Sequence, residues 1–188
     1  MINRNLYAFV TGVHFGILQI AYLLILQLSI SSTYLTYMVI VMSWMVGAAV
    51  GLWWKRVNTE LGLCAGLVSY YLIYLLAAFG APSRLTLLVS ALGVAITGIW
   101  AGRFFIVMQP LFRRVDGMFF HENNGFFVGV VTVFIGFTLT GLPFLLWAPL
   151  VTATTLVVQA RWVTGMQLRW MTPVLLCMAC GLAVMLST

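Results

Sequence analysis

Hydrophobic positions along the chain fall into long runs separated by brief polar breaks. A helix needs about 20 apolar residues to cross the hydrocarbon core of a bilayer. Seven runs meet that requirement approximately and are predicted as membrane-spanning helices: residues 6–30, 35–54, 61–79, 85–107, 126–142, 143–159 and 170–186. The short breaks are Ser31-Ser32-Thr33, Lys55-Arg56 and Gly80-Ala81-Pro82-Ser83, and one long polar stretch extends from Gln109 to Asn124. The 36 residues from Gly125 to Ala160 carry no charge. As a single helix they would extend roughly 54 Å at about 1.5 Å per residue, far beyond a core of about 30 Å. The chain must therefore turn, and Gly141-Leu142-Pro143 is the natural place. The predicted fold is all-α, a polytopic membrane helix bundle of seven transmembrane helices forming one domain over residues 1–188.

Composition narrows the class. Of 188 residues, 63% are hydrophobic, 14% aromatic and only 6% charged, whereas soluble domains carry about 25% charged residues. Disordered chains lack this wealth of aromatic and branched apolar side chains. A mean hydropathy of +1.11 leaves an integral membrane protein. The formal charge of +6 then reads as a topology signal rather than a nucleic-acid footprint. With the N-terminus cytoplasmic, the inner side receives Arg4, Lys55, Arg56, Arg103, Arg113, Arg114, Arg161 and Arg169, and the outer side only Arg84. This positive-inside bias predicts a C-terminus outside and places the chain in a bacterial inner membrane. The first apolar run is too long for a signal-peptide core and is expected to be a retained helix.

Five Gly-x-x-x-Gly pairs, which let helix backbones approach closely in lipid, are expected to serve helix packing: Gly12/Gly16, Gly47/Gly51, Gly62/Gly66, Gly98/Gly102 and Gly125/Gly129. His14 lies roughly 12 Å into the first helix at helical rise, and an ionisable group at that depth is a candidate functional residue. Hydrogen bonding between helices, proton relay and ligation of a haem or pigment remain open for it; no other cofactor is expected, and lipid is the expected ligand. Cys177 and Cys180 form a CxxC on the seventh run, with Cys64 at a similar depth. Inside apolar spans, thiols behave as small packing residues. The stretch Gln109 to Asn124 interleaves charges with aromatic and aliphatic residues, the composition of a segment at the head groups or against a partner. Its candidate contacts, with Arg103 before it, are Phe112, Arg113, Arg114, Phe119, Phe120, His121 and Glu122. His121-Glu122 could look like an acid–base pair, but a metal site would want three or four converging ligands and an HExxH pattern is missing, so no catalytic residue and no metal site is predicted.

The segment Val46 to Arg56, VGAAVGLWWKR, resembles the loop motif between the second and third helices of major facilitator transporters. Gly47, Gly51 and Arg56 match it, while Leu52 and Trp54 depart where a basic residue and a glycine are usual. The layout over residues 10–160 is similar to the membrane domain of bacterial spermidine-synthase-like proteins. That resemblance implies a facilitator-like half bundle with one added helix, and no substrate residue is carried over by it. The expected function is a non-catalytic membrane subunit or assembly factor of a larger inner-membrane complex. It would dock through helix faces and the 109–124 loop against lipids and other membrane subunits. The alternative is a small half-transporter acting as a dimer.

Overall fold

A computed structural model of the protein describes residues 4–30, 34–54, 59–164 and, singly, 180, 181 and 183. Six long helices account for nearly all of them: α1 (Arg4–Ser29), α2 (Tyr34–Trp53), α3 (Thr59–Phe79), α4 (Arg84–Met108), α5 (Val115–Thr140) and α6 (Leu142–Thr164). A 3-10 turn, Gln109–Leu111, links α4 to α5. Each of the six helices is long and apolar enough to cross a membrane. The expected seventh span, 170–186, lies outside the described residues apart from the three single positions.

Local chemistry sets the helix ends. Ser83 caps α4: its hydroxyl accepts from the Thr86 backbone N–H at 3.1 Å, satisfying a donor that the first turn leaves without a carbonyl. Gly141 ends α5 with φ +69°, a conformation that suits glycine, and its N–H returns to the Phe137 carbonyl at 2.8 Å. Pro143 follows in the first turn of α6, where a missing N–H costs nothing. Two long helices therefore replace one overlong one at this glycine.

The start of α5 corrects the polar-loop expectation. Only the turn and residues 112–114 separate α4 from α5, and residues 115–124 are the first turns of the helix. Polar composition had hidden a buried stripe of Met118, Glu122, Gly125, Gly129 and Val133, whose three- and four-residue steps follow one helix face.

The chain divides into two compact units. One comprises residues to Leu18 and from Ile106 onward, and so holds the first half of α1 with α5 and α6. The other, Gln19–Phe105, holds the second half of α1, α2, α3 and most of α4.

In the first unit α1 and α5 run parallel and interlock. A Cβ on Gly12 would strike the Glu122 carbonyl, and one on Gly16 that of Phe126. Reciprocally, Gly125 lies against the Phe9 carbonyl and Gly129 against that of Val13. The second unit repeats this between α2 and α4. Gly98 lies against the Trp44 carbonyl and Gly102 against that of Ala48, while Gly47 and Gly51 lie against those of Ala95 and Ile99. All eight approaches would bring an added Cβ to 2.5 Å or less from a backbone oxygen. At this range the helices can exchange Cα–H to carbonyl contacts, worth about 0.5–1 kcal/mol each. In a bilayer, where lipid supplies no hydrophobic drive for association, such a close fit is itself a source of cohesion.

Gly62 and Gly66 differ. They face the side chains of Trp100 and Thr97, where an added Cβ would lie 3.3 Å away. They leave room for side chains of α4 rather than admitting its backbone.

Candidate functional site

Most of the candidate chemistry falls in the unit of α1, α5 and α6. His14 is 1% exposed, and its Nδ1 lies 2.7 Å from the Thr152 hydroxyl on α6. The Thr152 hydroxyl also reaches the carbonyls of Ala148 (3.0 Å) and Pro149 (3.2 Å) one turn earlier. The Thr152 hydroxyl and His14 Nδ1 share their hydrogen bond, the donor being set by the imidazole tautomer. The residue thus ties α1 to α6 in a packed seam. Thr11, one turn earlier on the same face, is fully buried and donates to the Tyr7 carbonyl at 2.9 Å.

Glu122 is also buried, at 7% exposure. Its backbone carbonyl is the one that receives Gly12, so it belongs to the α1–α5 contact rather than to a head-group loop. Burial follows from its place on the stripe through Met118 and Gly125. Among the described residues no donor reaches its carboxylate.

A separate surface gathers around the α4–α5 turn. The Arg4 guanidinium donates to the Leu111 carbonyl and lies over the Phe112 ring, 5.4 Å from its centroid. This fastens the turn to the start of α1. Arg113 and Arg114 are exposed. Arg114 holds Asp116 through two bonds, Nε to Oδ1 at 3.2 Å and Nη2 to Oδ2 at 2.6 Å. Phe119 and Phe120 are exposed beyond them, and His121 is half-buried with its ring against the edge of Phe120.

Arg103 is corrected: expected among the head groups, it is 8% exposed in the second unit. Helix α4 runs past it to Met108, and a long aliphatic stem can be buried along such a surface. The thiols do not form a described cluster. Cys64 is buried, Cys180 is exposed, and Cys177 lies outside the described residues. Among the described residues no three His, Cys, Asp or Glu side chains converge as a metal site would require.

The second unit places different residues at the matching positions. Aligning the glycines of the two interlocks brings Thr11-Gly12-Val13-His14-Phe15-Gly16 onto Thr97-Gly98-Ile99-Trp100-Ala101-Gly102. It also brings Gly125-Phe126-Phe127-Val128-Gly129 onto Gly47-Ala48-Ala49-Val50-Gly51. In this register Trp100 stands for His14 and Trp44 for Glu122. Thr97 stands for Thr11 and donates in the same way to the carbonyl one turn earlier, that of Gly93, at 3.1 Å. Its oxygen also pairs with the Tyr22 hydroxyl at 2.7 Å, and the Tyr22 ring meets Tyr70 edge-on at 5.1 Å. Sequence reasoning treated the five glycine pairs as independent. The repeated Thr-Gly-x-x-x-Gly was the signal that could have shown which pairs correspond.

No protein-family model matches the chain, nor does any curated protein or solved structure. The class defined by the fold is an all-α protein with, among the described residues, six helices able to span a membrane.

Proposed function

We propose that the protein is a non-catalytic integral membrane subunit or assembly factor of a larger inner-membrane complex, with seven spans and a cytoplasmic N-terminus. The observation that carries this reading is His14. A transport or relay group has to meet its cargo, whereas this one is buried and spent on a hydrogen bond between α1 and α6. The lipid-depth surface supports the same reading. Only 17% of the apolar window of α5 and 28% of that of α2 is buried, against 61% for α1, leaving two helices with broad faces for other membrane subunits.

Gentle detergent extraction from the native membrane tests it, with particle size, companion proteins and an absorption spectrum read from one sample. Co-elution with larger membrane proteins at a fixed ratio supports the proposal. A colourless, partner-free dimer overturns it.

One observation favours the second reading, a facilitator-like half-transporter. Two units that share an interlock and a Thr-Gly-x-x-x-Gly motif are what a duplicated three-helix element would produce, and transporters are frequently built from such repeats. A partner-free dimer would send this reading to flux assays in proteoliposomes, with His14→Ala as the first substitution.

A further inference from the structure

We infer that the surface around the α4–α5 turn is a binding site for the head group of an anionic phospholipid, with Arg113 as its principal contact. This inference does not rest on the subunit reading, because a lipid can occupy the surface whether or not the chain has protein companions.

Three guanidinium groups meet at this turn, and the local geometry gives each a different task. Arg4 is committed to the Leu111 carbonyl and the face of Phe112. It holds the turn in place and adds charge. Arg114 is half-committed, because Asp116 takes it through two bonds. The pair stands in the open, with side chains 81% and 63% exposed, where such an ion pair is weak and open to competition. Arg113 is exposed and, among the described residues, forms no ion pair. Three positive charges face one carboxylate, so the surface keeps a net positive charge of about two that no described group neutralises.

The apolar neighbours select a lipid over a free anion. Leu111, Val115, Phe119 and Phe120 are all exposed, Phe120 at 65%. Val115 and Phe119, like Asp116 and Phe120, are one helical turn apart, so each ring continues a face that begins beside the charges. Guanidinium groups next to exposed rings and aliphatic chains match a phosphate joined to acyl chains, the arrangement of an interfacial segment. The start of α5 adds the positive end of its dipole. Its N-cap residue, Arg114, supplies no side-chain acceptor for the first-turn N–H groups. Asp116 satisfies only the N–H of Gly117, at 3.0 Å.

The test uses the full chain in nanodiscs of phosphatidylcholine alone or with added phosphatidylglycerol, and counts retained phosphatidylglycerol by native mass spectrometry. Retention several-fold above the bulk ratio is expected for the wild type, and a drop to the bulk ratio for the double variant Arg113→Gln, Arg114→Gln. Arg84→Gln, at the one basic residue that the charge pattern assigns to the other side, should leave retention unchanged. Asp116→Asn releases Arg114 and should raise retention, which keeps the test informative even if the double variant folds poorly. Equal retention in wild type and double variant, or an equal loss with Arg84→Gln, overturns the inference. It is also overturned if the arginine substitutions release a companion protein while lipid retention stays the same.

Discussion

The unit of α1, α5 and α6 and the unit of α2, α3 and α4 use one packing device around two different interiors. In each, a Gly-x-x-x-Gly helix lies parallel to another, and four glycines take four carbonyls in the same order. Where the second unit fills its interior with Trp44 and Trp100, the first carries Glu122 and His14. The difference separates two jobs. Glycine and backbone make the interlock, so neighbouring side chains can change without loosening it. The second position after the Thr-Gly pair, His14 or Trp100, faces the third helix, and there one unit relies on indole packing and the other on a hydrogen bond.

The largest expected effects should expose that division. Trp100→Ala empties a buried indole site and is expected to cost about 3–5 kcal/mol. His14→Ala removes a smaller ring and one contact, and should cost clearly less in the same detergent unfolding titration. Equal losses would mean that His14 is a packing residue like its counterpart.

Next in size are Gly12→Ala and Gly98→Ala, the matched glycines. Each forces a Cβ onto a backbone carbonyl, and a cost of about 1–3 kcal/mol is expected for both. Gly117→Ala is the internal control, since nothing lies within 4 Å of its added Cβ. It should be neutral or stabilising by up to about 1 kcal/mol. A large loss at Gly12 with none at Gly98 would break the correspondence between the units.

Smaller effects sharpen the polar side. Tyr22→Phe deletes the hydroxyl paired with Thr97 and should cost about 1 kcal/mol, read from the same titration. A double-mutant cycle of His14→Ala and Thr152→Ala should give a coupling near 0.6 kcal/mol, with about 1.7 as a ceiling. A coupling of zero would remove the hydrogen bond from the account of the seam.

Much of this architecture is legible in the sequence. Apolar run length located the six helices, and the overlong run from Gly125 demanded a turn that the structure puts at Gly141. The beginning of α5 was not legible, because Asp116, His121, Glu122, Asn123 and Asn124 made a helical segment look like a polar loop. Its buried stripe has the spacing of a helix, but Glu122 on that stripe breaks the usual link between burial and apolarity. Which glycine pair meets which was hidden for another reason: Gly-x-x-x-Gly marks a surface that accepts a backbone, and all such surfaces look alike until longer flanking sequence is compared. The partner of His14 was hidden as well. The Thr152 hydroxyl reaches carbonyls within α6, as threonines in helices can, so nothing in its surroundings in the sequence announced that it also meets His14.

The pairing of α1 with α5 has a consequence for how the chain is made. Helix α1 precedes α2, α3 and α4 in the chain, yet Gly12 and Gly16 meet their carbonyls only after all three have been made. The α2–α4 interlock closes earlier, across a single intervening helix. During that interval α1 carries a backbone-accepting surface whose matching carbonyls, on α5, have not yet been made.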